Sequence, residues 1–392
     1  MAITVDQITA LVGRHTNSVV NEQVNLECPV IGEGVIKKLH KPEKLGVINV
    51  KASGLSATGW LADSGTLPTA SNVTPAQGTY QPRALLTHLA IPRMAAQLAS
   101  SEEDGILLVK EQMESAGKDL GRQLGRSVFG DKIYTLGAAD DVDASADATI
   151  TVSNPAGFRP GMKFTVYNGS SLVESAIVTD VSIPTSGNST ITLSANAGGA
   201  WVAGYDLYLF GAKVDGMVGL DDVCAAANLY GITYTTNDFS GNLDSSTTTL
   251  TASALKALSV RCARRSGKKP SHVLLNSVGE QRLYESMGDA IRFSPGGKVD
   301  DYGAKLMFDG RPVIVDENCG DSDVYLIDSD NVKLHVFRDI NPEMHGAKKP
   351  GMGQGALLVS TSTLDYNAQI WGSFNLRCEK RNGFGRMSGL TA

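Results

Sequence analysis

The sequence predicts an α+β protein in which helical and strand-rich segments follow one another along the chain. One stretch, 100–130, carries apolar residues at helical spacing. Elsewhere, short runs alternate apolar and polar residues and are separated by turns containing Gly and Asn. Glycine is abundant, at 42 of 392 residues, and aromatic residues make up only 6%. That composition suits strands and long loops better than a helical bundle.

Residues 1–45 are predicted to form an N-terminal arm, because they show no sustained period and need a surface to lie on. The end of this arm is basic: Lys37, Lys38, Lys41 and Lys44 precede Lys51, with Glu43 as the one acid.

Residues 46–92 are predicted to form an extended hairpin loop. Two strand-like runs, 47–50 and 84–91, bracket a segment rich in Gly, Ser, Thr and Pro. That segment has too few large apolar residues to bury a core of its own. We therefore expect it to project from its domain and to rest on a neighbouring subunit, with Trp60 and Leu61 as its apolar anchors.

Residues 93–137 are predicted to contain a long spine helix over 100–130. Ser100 and Glu103 form a capping-box pattern at its start. The apolar stripe comprises Ile106, Met113, Leu120, Leu124 and Val128. Four glycines (Gly105, Gly117, Gly121 and Gly125) would each cost about 1 kcal/mol relative to alanine. They either allow close packing or loosen the helix, and the sequence leaves both interpretations open.

Residues 138–212 are predicted to form an inserted all-β domain of about five or six strands, a small sandwich or partial barrel. Alternating runs such as 148–152 and 162–166 are separated by turns such as Asn168-Gly169. Seven acids and two bases give this segment a net charge of −5.

Residues 213–335 mix helix and strand, which predicts an α/β domain. Helices are expected over 220–229 and 251–266, the second ending at Gly267. Strands are expected at 272–275, 312–316, 324–328 and 332–337. The last segment, 336–392, returns to long strands at 357–361 and 368–378 and ends in a basic, glycine-rich tail.

Signatures of catalysis and of cofactor binding are missing from the sequence, which contains no GxSxG, HExxH or P-loop motif. Gly351, Gly353 and Gly355 follow Lys348-Lys349-Pro350 rather than a strand, so we interpret them as a flexible turn. Six histidines are dispersed, and five cysteines form no CxxC pair. We therefore predict a protein that is not an enzyme and that holds no metal or cofactor.

The net charge and the hydropathy of the sequence limit the classes of partner that the protein is expected to bind. A net charge of −6 argues against a nucleic-acid binder that acts through its overall field. No run approaches the roughly 20 apolar residues that span a bilayer, so no membrane partner is expected. The cluster at 37–51 and the C-terminal cluster (Lys380, Arg381 and Arg386) suit either nucleic acid or contacts between subunits.

The order of these segments resembles the major capsid proteins of tailed bacteriophages. The resemblance is most characteristic over 270–342, where PSHVLLNSVGEQRLYES precedes Gly310-Arg-Pro-Val-Ile-Val315 and Asp323-Val-Tyr-Leu-Ile327. It covers most of the chain apart from 138–212. It implies the capsid fold: an arm, an extended hairpin, a spine helix, peripheral and axial domains, and here an inserted β domain.

The resemblance also implies a function and partners. Pentamers and hexamers of this chain would close an icosahedral head around double-stranded phage DNA, which would touch the interior weakly. Further partners would be a separate scaffold protein, a portal and a decoration protein. The head would assemble in the bacterial cytoplasm and end in the virion. The expected assembly contacts are Trp60, Leu61, Lys51 and Arg381.

Two alternatives stay open at the level of sequence. An encapsulin-like compartment would use the same architecture to hold protein cargo instead of DNA. A β-rich tail or adhesion protein would explain the 138–212 module, but it would not explain the spine helix or the 270–342 stretch.

Overall fold

The computed structural model describes residues 28–51, 60–61, 63, 66, 69, 75–92, 102–137, 148–152, 158–182, 189–194, 201–235, 238–287, 306–343, 358–359 and 365–390. The chain divides into two compact units, each built from three separate segments. The first unit comprises 1–42, 82–217 and 334–375. The second comprises 43–81, 218–333 and 376–392.

The helices are α1 (Pro29–Gly32), α2 (Glu102–Phe129), α3 (Ala212–Asp215), α4 (Leu220–Cys224), α5 (Ala252–Ser266) and α6 (Ser277–Met287), with a 3-10 turn at Arg381–Gly383. The strands are β1 (Lys37–His40), β2 (Gly46–Lys51), β3 (Pro75–Tyr80), β4 (Arg83–Pro92), β5 (Lys132–Thr135), β6 (Thr149–Val152), β7 (Lys163–Asn168), β8 (Ser171–Ser182), β9 (Ser189–Leu193), β10 (Asp206–Leu209), β11 (Asn242–Asp244), β12 (His272–Leu275), β13 (Met307–Phe308), β14 (Arg311–Val315), β15 (Val324–Ile327), β16 (Val332–Glu343), β17 (Leu358–Val359), β18 (Asp365–Cys378) and β19 (Gly385–Met387).

The long helix of the first unit confirms the helix predicted over 100–130. Leu120, Leu124 and Val128 are buried on one side of it, as the apolar stripe predicted. Gly121 lies on the buried side too, and the thiol of Cys28 donates a hydrogen bond of 3.0 Å to its carbonyl oxygen. The contact is made by the backbone carbonyl of Gly121, so both interpretations of the helix glycines stay open.

The end of the predicted arm packs on its own chain. Val30, Ile31, Val35 and Ile36 are buried, and strand β1 forms the edge of a sheet beside β16. Residues 28–42 are therefore part of the first unit and do not form a free arm. Residues 1–27 of the arm lie outside the described residues.

Strand β4 corrects the predicted hairpin. It pairs antiparallel with β18 over ten residues, from Arg83 opposite Phe374 to Pro92 opposite Asp365. The partner of β2 is instead β3, at 75–80, where the sequence analysis placed no strand. The paired strands of the hairpin thus end at Tyr80, and β4 belongs to a different sheet.

The strand-rich segment 138–212 contributes five strands to a six-stranded sheet in the order β5-β10-β7-β8-β9-β6. Strand β5 lies before this segment, so the sheet begins earlier than predicted. Its core includes Phe158, Phe164 and Trp201. Phe164 meets Phe158 and Trp201 edge to face, with ring centroids 5.7 and 6.0 Å apart.

The second unit is built on a six-stranded mixed sheet in the order β11-β19-β15-β12-β14-β13. Helix α5 begins after Thr251, whose side chain accepts a hydrogen bond from the amide of Ala254, and it ends at Gly267 with φ +75°. Both bounds were predicted. Leu258 and Cys262 of this helix pack so closely on strand β19 that a Cβ on Gly385 would lie 2.8 Å from the sulfur of Cys262.

The C-terminal tail corrects the assignment of 336–392 to one segment, because residues from 376 onwards belong to the second unit. Strand β19 lies inside the sheet of that unit, between β11 and β15. Glycine at 385 provides the space for helix α5 above it. Close packing therefore explains the glycine at 385, whereas Gly389 has a positive φ angle of 75° and no atom within 4 Å of a Cβ position.

Candidate assembly interface

The hairpin β2–β3 has one buried and one exposed face. Gly46, Ile48, Gly78 and Tyr80 are buried, whereas the intervening residues point to solvent. In the register of the two strands, Gly46 lies opposite Tyr80 and Ile48 lies opposite Gly78. Each cross-strand pair on the buried face thus combines a glycine with a large side chain, which fills the space that the glycine leaves.

Residues far along the chain anchor the base of this hairpin. The amide of Thr79 donates to the carbonyl oxygen of Tyr230 at 3.0 Å, and the Tyr80 and Tyr230 rings lie 5.2 Å apart. The Tyr230 hydroxyl donates to the carbonyl of Leu376 at 2.6 Å. Burial raises the pKa of Tyr80 to about 12. The root of the hairpin is therefore part of the core of the second unit.

Trp60 and Leu61 lie in the connection between the two strands. The Trp60 side chain is fully exposed and Leu61 is 44% exposed. An exposed tryptophan next to an exposed leucine is typical of a surface that another molecule covers, because aromatic residues carry much of the energy of protein interfaces. Lys51 is the last residue of β2, opposite Pro75, and its side chain lies outside what the structure describes.

Arg381 does not fit the assembly contact that the sequence analysis assigned to it, because its side chain is completely buried within the chain. Its five N–H groups donate to five backbone carbonyl oxygens, at 2.6–2.9 Å, which belong to Asp222, Val223, Ala225, Ala227 and Phe239. Burial lowers the pKa of this guanidinium. All donors of the side chain are satisfied, so Arg381 organises the fold from inside.

The same contacts explain why helix α4 is shorter than the predicted helix over 220–229. Helix α4 ends at Cys224. Carbonyl oxygens that would accept hydrogen bonds from a following turn accept them from Arg381 instead. The prediction was wrong because these acceptors are bound by a residue more than 150 positions away.

Arg386 forms a second buried cluster that the sequence analysis did not single out as a unit. Its guanidinium lies 3.0 Å from carboxylate oxygens of both Asp221 and Asp323. The hydroxyl of Tyr325 also donates to Asp221. Burial alone would lower the pKa of Arg386, but the Tyr325 oxygen and the two carboxylates together outweigh it and raise this pKa. The cluster ties strands β15 and β19 to helix α4.

A third charged group lies on helix α5 and its C-terminal extension. Lys256, Val260, Ala263, Arg264 and Lys269 line a groove of about 310 Å³ together with Ser259. Lys256 contacts Asp309 at 2.5 Å, and Lys269 approaches the same carboxylate at 3.9 Å. The Lys256 ammonium holds the pKa of Asp309 below its usual range. Sequence reasoning missed this group, although residues 245–279 contain six cations and no acid.

The described residues contain no group of three or more His, Cys, Asp or Glu side chains that could hold a metal ion. Within the same residues, no helix is both long and apolar enough to cross a membrane. All five cysteines are buried, and they form no disulfide bond with one another.

The fold is shared with a chain of the capsid asymmetric unit of cyanophage A-1(L), with a TM-score of 0.56, 10% sequence identity and 92% of each chain covered. A capsid chain of a native GTA particle covers 94% of this chain and 91% of its own length, at 9% identity and a TM-score of 0.49. An encapsulin complex from Synechococcus elongatus PCC 7942 gives 9% identity, 91% and 85% coverage and a TM-score of 0.43. With TM-scores below 0.5, the last two likenesses do not distinguish phage heads from compartments.

No protein-family model matches the sequence, and no curated protein is detectably similar to it. The fold therefore defines the class: this is a mixed α+β chain with the fold of phage capsid proteins. The fold that the resemblance implied is thus confirmed in its overall form.

Proposed function

We propose that this chain is the major capsid protein of a tailed phage and that it assembles as pentamers and hexamers into a head around double-stranded DNA. The observation that carries the proposal is the likeness to the cyanophage A-1(L) capsid chain over 92% of both chains. A likeness over nearly all of both chains supports a shared architecture more than a shared local motif.

The exposed hairpin supplies a mechanism for assembly. Its root is fixed in the second unit by Tyr80 and Tyr230, whereas Trp60 and Leu61 remain exposed. A rigid root with an apolar, uncovered end suits a segment that docks on a second copy of the chain. Repetition of one such contact around a symmetry axis closes a ring, and rings of five and six close a shell.

The remaining expectations belong to the same proposal. A separate scaffold protein and a portal would direct assembly in the bacterial cytoplasm, and the head would become part of the virion. The six-stranded sheet that contains 138–212 would be the place for a decoration protein, since it adds surface without contributing to the sheet of the second unit. In this proposal the chain performs no catalysis.

An encapsulin-like compartment is the second candidate, because it would use the same architecture to hold protein cargo. The two candidates differ in what the shell encloses. A tail or adhesion protein is the third, and it would not require closed particles.

The test is the mass of the purified chain by light scattering, alone and with the products of neighbouring genes, followed by electron microscopy of any large species. Closed particles or rings of five and six subunits are expected, and the particles formed in cells should contain DNA. Particles filled with a copurifying protein would favour the compartment. A monomer or dimer under every condition would overturn the shell.

A further inference from the structure

The basic side chains on and after helix α5 outnumber the carboxylates of the chain that pair with them. Three of the six cations at 256–269 form ion pairs that they do not share. Arg261 pairs with Asp244 and Arg265 pairs with Asp238. Lys268 pairs with both Asp328 and Asp330. Lys256 and Lys269 share a single acid, Asp309, with Arg311. Arg264 is exposed and has no salt-bridge partner among the described residues. Three cations around one carboxylate, together with the unpaired Arg264, leave an excess of three positive charges in a chain whose net charge is −6.

The position of the shared acid is fixed by the backbone. Asp309 and Gly310 form a two-residue loop between β13 and β14, and both have positive φ angles, of 51° and 75°. The loop therefore holds Asp309 between three cations, and its backbone cannot move toward any one of them. It limits the repulsion between Lys256, Lys269 and Arg311, which keeps these side chains close together without neutralising them.

The half-buried Lys256 and the exposed Arg264 and Lys269 also have a defined geometry. Lys256 and Arg264 lie one turn before and one turn after Val260 on the helix, which places them about 12 Å apart along its axis. Lys269 follows on the same groove, whose floor is formed by Val260 and Ala263. Lysine and arginine side chains donate hydrogen bonds and cannot accept them, so the rim of the groove suits a row of anionic groups.

We infer that this face of helix α5 (Lys256, Arg264 and Lys269) binds the phosphate backbone of nucleic acid. The inference rests on the proposed function, since a shell around DNA needs a surface that tolerates dense phosphate. The described acids of the segment 138–212 are less suited as a partner. In the described part of 138–212, the acids are Glu174, Asp180 and Asp206. Glu174 accepts a hydrogen bond from Trp201, and Asp206 is paired with Lys132. These described acids therefore offer no matching cluster.

Phosphate contacts of this kind give binding that is independent of sequence and that weakens with salt. Each phosphate contact contributes about −0.9 to the slope of log affinity against log salt concentration for duplex DNA. Three contacts contribute about −2.7, which is roughly a 40-fold loss of affinity between 50 and 200 mM salt.

The experiment measures binding of a fluorescent 30-base-pair DNA duplex to the unassembled full-length chain by anisotropy over this salt range. Arg264→Gln is the first variant, because it removes no ion pair and should leave the fold unchanged. It should make the slope less negative by about 0.9, and the triple variant with Lys256→Gln and Lys269→Gln by about 2.7. Lys118→Gln, an exposed cation of the long helix, is the matched control and should not change the slope.

The outcomes separate this inference from the proposed function. Unchanged slopes in Arg264→Gln and in the triple variant would overturn the inference, even if the wild-type chain forms particles. Unchanged slopes together with a loss of particles in the triple variant would assign the face to contacts between subunits instead. Absence of particles in the wild-type chain would count against the shell and would leave the slopes as an independent result.

Discussion

The ring of Tyr80 lies directly over the α-carbon of Gly46, its partner on the opposite strand of the hairpin, so that a Cβ on Gly46 would overlap the ring. Gly78 has the same relationship to Ile232, where a Cβ would lie 2.8 Å from Cδ1. Glycine at these two positions is therefore what lets the hairpin lie flat on the core of the second unit.

Gly46→Ala should consequently destabilise the chain. The added methyl group must displace the Tyr80 ring, which is held between the hairpin and Tyr230. Overpacking of a well-packed site costs about 1–3 kcal/mol, and we expect a loss of this size in the free energy of unfolding measured with denaturant. The neighbouring exposed residue provides the control: Val47→Ala should change the stability by less than about 0.5 kcal/mol. Equal stability of Gly46→Ala and the wild type would contradict the packing argument.

Trp60→Ala should weaken the assembled shell and leave the isolated chain unchanged, because the Trp60 side chain is exposed in the single chain. Loss of an aromatic anchor typically costs 2 kcal/mol or more per contact, and in a shell this cost is repeated in every subunit. The measurement is the denaturant concentration at which particles dissociate, followed by light scattering, beside the melting temperature of the unassembled chain. Leu172→Ala removes an exposed apolar side chain from strand β8 and should alter neither quantity. Particles of Trp60→Ala with wild-type resistance would remove Trp60 from the interface.

Parts of this architecture were predictable because their signals are local. The apolar stripe of the long helix recurs within 30 positions, and helix α5 is bounded by Thr251 and Gly267, which act on the adjacent turns. Strand β3 was missed because its sequence, PAQGTY, has only one large apolar residue. What makes it a strand is the partner β2 and the surface formed by Tyr230 and Ile232, about 150 residues away.

The candidate site likewise contains residues that the sequence pointed to and a residue whose role only the fold reveals. The sequence analysis singled out Trp60 and Leu61 as apolar anchors of a projecting segment, and the structure leaves both side chains exposed. Their role in assembly stays a prediction. The role of Arg381 was not predictable, because its partners are backbone carbonyl oxygens, which every residue carries and no residue type reveals. Its position in a basic tail suggested a surface, and only the fold shows that it is buried.

Arg381→Lys should destabilise the chain strongly although the charge is kept. A lysine ammonium has three donors on a flexible stem, so it cannot reach five carbonyl oxygens that are arranged around a planar guanidinium. Unpaired buried acceptors cost about 1–3 kcal/mol each, and we expect a total loss of at least 3 kcal/mol in the free energy of unfolding.

The neighbouring Lys380 provides the control for Arg381. Its exposed ammonium contacts one carbonyl oxygen, that of Ser266, so Lys380→Gln should cost less than about 1 kcal/mol. If Arg381→Lys unfolds like the wild type but fails to form particles, the residue acts between subunits after all, and the interpretation of its burial is wrong.

Tyr80 should also make the stability of the chain depend on alkaline pH. In the folded chain its pKa is about 12, because the ring is buried, whereas an unfolded tyrosine has a pKa of about 10. Between these values the unfolded state binds fewer protons than the folded state, so the free energy of unfolding falls as the pH rises, by up to about 1.4 kcal/mol per pH unit. Below about pH 10 the contribution is fully present.

The substitution Tyr80→Phe isolates this effect, since burial also raises the pKa of Tyr230, Tyr325 and several cysteines. The free energy of unfolding of Tyr80→Phe relative to the wild type should increase by about 1 kcal/mol between pH 9 and pH 11. This increase is independent of any difference in stability that the two proteins already show at pH 8. Denaturant unfolding at four pH values measures it, and Tyr284→Phe, an exposed tyrosine on helix α6, should run parallel to the wild type. If Tyr80→Phe also runs parallel to the wild type, then Tyr80 ionises as freely as an unfolded tyrosine. The root of the hairpin would then be open to water, which would contradict the packing of Tyr80 against Tyr230.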